Sequence, residues 1–301
     1  MNEVKEYRTW LVDSRRWQHY SPRKNDVIVT TYPKSGTTWM QRIVSLLIFQ
    51  NLDPVNLDRL APWLERRTGP PIRDVIKEFD KQSHQREIKT HLPFDGLPIY
   101  EEVRYIHVVR DGRDIALSYH NHCNAHRLNS MDILNKIGME DETIQKPYPD
   151  IAVDPAEFFH NWLRMPAINE QPDGSPFLSY FQYEKSYAKA FGLENILFVR
   201  FADLLTDLVG EMRKIADFLE IHIEDRVLER LSHGAGFKQM QKDGEQLIPL
   251  TVNTFSDGAK GFFNKGESGL WRDVFKEEDL VLFEEKQKEI PCSYLTWMQG
   301  Q

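Results

Sequence analysis

The sequence predicts an α/β domain with a central parallel β-sheet flanked by helices. Three observations lead there. Short β-branched runs alternate with helical patterns. The 301 residues are 41% hydrophobic, enough for one sizeable core. No internal repeat or low-complexity linker divides the chain, so residues 1–301 read as a single domain.

The strand signals come in order. Asp26 to Tyr32 (DVIVTTY) is rich in β-branched residues. Glu87 to His91 (EIKTH) is a weaker signal, while Val103 to Val109 (VRYIHVV) and Ile196 to Val199 (ILFV) are strong ones. Between them, Thr37 to Phe49 places apolar residues at 39, 40, 43, 44, 47 and 48, the stripe of a helix. A second helix is expected from Asp111 to about Asn124. Val209, Met212, Ile215, Phe218 and Leu219 mark an amphipathic helix, continued in style by Val227, Leu228 and Leu231. Residues 127–155 and 234–269 have weak periodicity and many polar or Gly residues, and are expected to be lid-like loops.

The formal net charge is -8. Such a balance disfavours global attraction to nucleic acid or an anionic membrane, so an anionic ligand needs a local basic cluster. Two cysteines, Cys123 and Cys292, make neither a disulfide framework nor a cysteine zinc site. The start of the chain is charged, and the longest apolar cluster, Ile43 to Phe49, is too short to span a bilayer. The expectation is a soluble, cytoplasmic protein.

The segment Tyr32-Pro33-Lys34-Ser35-Gly36-Thr37-Thr38-Trp39 joins the first strand to the first helix. Amide N–H groups at a helix start are unpaired, and the helix dipole adds partial positive charge, so such a start holds anions. Gly36 permits the tight turn and close approach. Thr37 and Thr38 add hydroxyls, Lys34 reaches an oxygen that is shedding its partner, and Trp39 offers a flat face for a base. The lysine precedes the glycine, unlike the common nucleotide loop. Nothing resembles the aspartate-ended strand that helps hold magnesium in most phosphate-loop enzymes. A sulfuryl group carries one negative charge fewer than a phosphoryl group, so lysines and amides suffice without a metal.

Four segments together resemble the cytosolic-type sulfotransferase family: Tyr32 to Trp39 (YPKSGTTW), Lys89 to Pro93 (KTHLP), Val108 to Tyr119 (VVRDGRDIALSY) and Lys265 to Trp271 (KGESGLW). The resemblance implies the donor 3'-phosphoadenosine 5'-phosphosulfate (PAPS), the product 3'-phosphoadenosine 5'-phosphate (PAP), a P-loop-like 5'-phosphosulfate loop and no metal. It also implies that Ser35, Gly36, Thr37 and Thr38 hold the 5'-phosphosulfate, and that Arg110 and Ser118, helped by Lys265 and Gly266, hold the 3'-phosphate. Trp39 and Phe237 would sandwich the adenine. The second segment makes chemical sense unaided. Residues two apart in a strand share a face, so Lys89 and His91 point together. A near-neutral imidazole can take the acceptor's proton, with Lys89 steadying the transferring oxygens and Lys34 the leaving phosphate. Arg110 ends a strand, where α/β sheets gather ligands, and Asp114 four residues on is expected to orient it.

The sequence departs from the family pattern at Asn264, where Arg is usual, at Phe201, where Tyr is frequent, and at Ala235, where Thr-Ser is common. Arg113 is a candidate replacement for the missing arginine. Arg272 to Glu278 does not match the animal-type dimerisation stretch. His122, Cys123 and His126 invite a metal reading, but structural zinc wants four ligands and no second cluster is present. They are expected to line the acceptor entrance or face solvent. Trp10, Trp17, Trp63, Trp162 and Trp297 read as core or lid packing.

The expected activity is transfer of a sulfuryl group, in-line with His91 as base, to a hydroxyl or amine of a small, largely apolar acceptor such as a phenol, alcohol, steroid-like or lipid compound. Phe94, Leu97, Pro98, Tyr148, Phe158, Phe159, Leu247, Ile248, Phe255, Phe262 and Phe263 are the expected apolar walls. The alternatives are an ATP-dependent small-molecule kinase and a catalytically silent nucleotide-binding member.

Overall fold

A computed structural model describes residues 4–263 and 266–301, with the backbone alone for Leu128 and Asn129. The strand signals become β1 (Val27–Thr31), β2 (Glu87–Thr90), β3 (Arg104–Val109) and β4 (Ile196–Arg200). All pairings are parallel, in the order β2-β1-β3-β4. The chain therefore leaves β1 to one side for β2 and returns past it to β3. That reversal opens a crevice beyond the carboxyl ends of β1, β2 and β3.

Both sheet faces are covered, which is why the strands read as nearly continuous apolar runs. Ile28, Ile88 and Tyr105 belong to one core, with Ile115, Phe159 and Phe181 from helices on that side. Val27, Val29, Ile106 and Val108 belong to the other, with Ile43 and Leu47 of α1 (Thr37–Phe49) and Met212 and Leu231 beyond it. Full burial of each such side chain contributes roughly 1.5–3 kcal/mol. The period-2 rule also sorts two histidines. His107 points to the first core, stacked on Tyr187 at 3.7 Å and bonded to Thr30 at 2.9 Å. His91 follows Lys89 on the opposite face, towards the crevice.

The two stretches expected as loops each contain helices. Helix Leu128–Glu140 falls in the first, and helices Phe237–Leu247 and Gly258–Phe262 in the second. Their stripes are thin: Phe237–Leu247 buries Met240, Gly244 and Leu247 among eleven residues. Met240 and Leu247 join a satellite cluster with Leu57, Val252 and Phe263 rather than a main core. The spacing is helical, but with one of the three a glycine the apolar signal is faint.

Candidate active site

The crevice is a cavity of about 520 Å³. Lys34, Gly36, Thr37, Thr38, Trp39, Lys89, His91, Arg110, Ser118, Phe237 and Gly266 all line it. These are the expected site residues apart from Ser35 and Lys265. Lys265, like Asn264, lies outside the described residues. Ser35 is fully buried below the cavity wall, and its Oγ finds no hydrogen-bond partner among the described residues.

The loop after β1 is shaped by two left-handed residues, Lys34 (φ 73°) and Gly36 (φ 105°). At Gly36 a Cβ would stand 2.8 Å from Cδ2 of Phe201, so glycine is required for conformation and for space. Gly36 caps α1 without a side chain, so the first amides of a 13-residue helix remain unpaired at the cavity. Thr37 Oγ1 lies 2.6 Å from Thr31 Oγ1, which ties the helix start to the end of β1.

Arg110 is held differently from expectation. Its Nη1 donates to the Lys34 carbonyl (3.1 Å) and its Nη2 to that of Glu267 (3.0 Å). The guanidinium lies 4.4 Å over the Phe201 ring, so the phenyl that replaces the family's tyrosine supports this cation. Asp114 does not pair with it. Instead Asp114 accepts the Gly269 amide at 2.7 Å and fixes the loop carrying Gly266. Arg113 is committed to Asp111 (Nη2–Oδ2 2.7 Å) and stacked on Trp271 at 4.0 Å, away from this cavity. Nε of Arg110 is buried without a partner among the described residues. Phe237 is 37% exposed and lies directly against Gly266, where a Cβ would come within 2.5 Å of its ring. Trp39 packs edge-on to Phe201 at 5.2 Å.

The imidazole is locked as well. His91 Nδ1 lies 2.8 Å from the Thr31 carbonyl, which can only accept, so Nδ1 carries the proton and Nε2 the free lone pair. Burial lowers the His91 pKa to about 3, with Lys89 and Lys34 adding and the Thr31 carbonyl opposing. The ring is therefore neutral at ordinary pH and chemically a base. Trp63 stands edge-on to it at 4.8 Å and Phe177 at 6.5 Å. Burial, then Arg110 and Lys89, lowers the Lys34 pKa to about 8.

Beneath His91 sits Glu65, fully buried. Its Oε1 accepts from the His91 amide (2.8 Å), Thr90 Oγ1 (2.8 Å) and Trp63 Nε1 (2.5 Å), and its Oε2 from Trp17 Nε1 (2.9 Å). One carboxylate thus joins the turn after β2 to the Trp63 wall. Sequence reasoning missed Glu65 and assigned Trp63 to packing, because neither belongs to a periodic element. The expected apolar walls are also corrected. Tyr148, Phe255, Phe262 and Phe263 line the cavity, while Phe158 and Phe159 lie in the core, Phe159 stacked on Phe275. Leu11, Trp63, Met131, Leu134 and Phe177 line it instead of the rest. Among the described residues no group of three or more His, Cys, Asp or Glu side chains could hold a metal ion.

These protonation states carry a prediction. His91 at about 3 and His126, lowered to about 4 mainly by burial, both sit below the ordinary 6.5. Between those values the unfolded chain binds protons that the folded chain refuses, so stability falls as pH falls through that window. The melting temperature near pH 5 is expected to lie about 2–5 °C below that near pH 7.5, checked by calorimetry across the range.

Fold and cavity define a group-transfer enzyme that receives an anionic donor. Unpaired helix-start amides, the orphaned Ser35 Oγ and Arg110 Nε, and two lysines fit a nucleotide bearing phosphates. Comparison with known proteins makes this specific. Residues 24–290 match the Sulfotransferase domain family. A glycolipid sulfotransferase of Mycobacterium bovis is 30% identical, over 97% of this chain and 93% of its own length. Sulfotransferase 1B1 of Canis lupus familiaris is 28% identical over 86% and 80%. A mouse sulfotransferase, SULT7A1, solved with PAP, shares the fold with a TM-score of 0.67 at 20% identity, covering 93% of this chain and 89% of that one.

The chain belongs to the sulfotransferase family. It is a transferase that takes a sulfuryl group from PAPS. No helix among the described residues is long and apolar enough to cross a membrane.

Proposed function

We propose that this enzyme sulfates a hydroxyl, or an amine, of a small and largely apolar acceptor, with His91 as general base. The observation that carries the reading is the orientation of His91. Its Nδ1–H is fixed on the Thr31 carbonyl, which leaves Nε2 as the basic nitrogen, and the residue lines the same cavity as Lys34 and Lys89. Aromatic and aliphatic walls from Trp63, Phe177, Met131, Leu134 and Phe255 favour an apolar acceptor body over a charged polymer.

PAPS, when bound, supplies an electrophilic sulfuryl group on a phosphate leaving group. The amides from Gly36 to Thr38 would hold its 5' end, and Arg110 and Ser118 its 3'-phosphate. Trp39 and Phe237 would border the base. Lys34 and Lys89 would neutralise oxygens on which charge develops. Helices Leu128–Glu140, Phe237–Leu247 and Gly258–Phe262 would form the lid. A reducing cytosol suits the buried free thiol of Cys123.

Two measurements test the reading. PAP is expected to raise the melting temperature well beyond what ADP with magnesium does; equal shifts would favour a kinase-like site. With labelled PAPS and pooled hydroxylated compounds, label is expected on phenols, alcohols or lipids. Label on a charged polysaccharide alone would overturn the acceptor class, and binding without turnover would leave a silent binder.

A further inference from the structure

Helix Gly112–Asn124 brings more than Ser118 to the cavity. His122 is one turn further along the same face, His126 follows just past the helix end where it bridges to Phe255, and both line the cavity. The Nζ of Lys34 lies 3.2 Å from Nδ1 of His122, and Nε2 of His122 lies 3.3 Å from Nε2 of His126. The three side chains form one hydrogen-bonded chain, walled by Phe255 and Phe262.

We propose that His122, which bridges Lys34 and His126, is a positioning residue that holds the Lys34 ammonium at the reacting end of the cavity. This rests on the role given to Lys34 above. An ammonium only donates, so Nδ1 of His122 must accept, its proton sits on Nε2, and that proton is donated to His126. Burial, reinforced by Lys34 and His126, keeps His122 well below its ordinary pKa and therefore neutral, as an acceptor must be.

The need for such a partner follows from the surroundings. Lys34 projects from a left-handed residue into a cavity it shares with the cations Arg110 and Lys89, and Cys123 and His91 also stand close by. Among the described residues, His122 supplies the one side-chain acceptor within hydrogen-bond reach of its Nζ. Phe262, 4.8 Å away, offers a ring face on another side. One N–H spent on His122 fixes the long side chain and leaves two for anionic oxygens. A chain clamped in this way loses less conformational freedom when those oxygens arrive.

The test combines three variants and a readout independent of turnover. His122→Phe keeps a ring and removes the acceptor; His122→Asn keeps an acceptor near the Nδ1 position and removes the ring. His122→Phe is expected to lower kcat about tenfold to a hundredfold. His122→Asn should recover most of that loss, and His122→Phe should add little in a Lys34→Met background. Nitrogen NMR on histidine-labelled parent protein should show His122 as the Nε2–H tautomer, with that preference lost in Lys34→Met. The proposal is overturned by any of three results: an unchanged kcat in His122→Phe, equal damage by Phe and Asn, or an Nδ1–H tautomer in the parent. If His122→Phe does not fold, the tautomer and the Asn variant decide. If Lys34→Met itself turns over like the parent, the reading of the active site fails rather than this refinement of it.

Discussion

His91→Ala is expected to reduce turnover by about 10²–10⁴-fold while the melting-temperature shift caused by PAP stays close to that of the parent. The split follows from position. His91 lies on the turn after β2, bonded to Thr31 and flanked by Trp63, whereas the anion-holding groups lie on the β1 loop and at the end of β3. In the proposed mechanism, removing the imidazole takes away the base and leaves the donor cradle in place. The pH profile adds a second check. With a pKa of about 3, His91 stays deprotonated across the usual assay range, so no acid limb centred near pH 6.5 is expected. Lys34, at about 8, is charged below that value and loses its proton above it. The kcat/KM for donor, which reports free-enzyme groups, should therefore fall above about pH 8. An acid limb that vanishes in His91→Ala would contradict the protonation state assigned here.

Glu65→Gln is expected to be the most damaging change outside the residues that meet donor or acceptor. Four donors converge on this carboxylate, and burial raises its pKa against their pull. A Gln amide turns one acceptor oxygen into an NH₂ facing N–H or O–H groups, so at least one buried donor loses its partner. The cost is about 1–3 kcal/mol for that group. Because two of the donors, the His91 amide and Thr90 Oγ1, fix the end of β2, kcat should fall along with stability. Denaturant unfolding together with the sulfate-transfer assay checks both. A variant as stable and active as the parent would remove Glu65 from the account.

Much of this was legible in the chain, and the reasons are physical. The run Val27 to Thr31 is β-branched because it is buried on both faces, and the stripe in Thr37 to Phe49 is wide because α1 packs along a main core. Lys34 to Trp39 announces itself because a strand, a glycine turn and a helix start must be contiguous to present amides. Lys89 and His91 could be paired from strand periodicity alone. Other features had no such signal. Glu65 acts through tertiary hydrogen bonds to residues 25, 26 and 48 positions away, and no local pattern encodes those. Arg110 looked paired with Asp114 at i,i+4, yet the carbonyls of Lys34 and Glu267 claim it, since the loops bearing them close over the strand end. His122 and His126 line the cavity, one of the two placements expected of them, but their hydrogen-bonded chain to Lys34 spans 88 positions and has no local signal. The helices over 128–140 and 237–247 gave faint signals because they bury few apolar residues, against the cavity and a small cluster rather than the sheet.

In the proposed mechanism, amides and cations around Lys34 and Arg110 seat the doubly phosphorylated nucleotide so that His91 faces the transferring group. A crystal structure with PAP tests it most directly. The expected result is the 5'-phosphate on the amides of residues 36–38, the 3'-phosphate on Arg110 and Ser118, and Nε2 of His91 open to the space beside Lys34. A nucleotide seated elsewhere, or an imidazole rotated off Thr31 and out of the cavity, would contradict it.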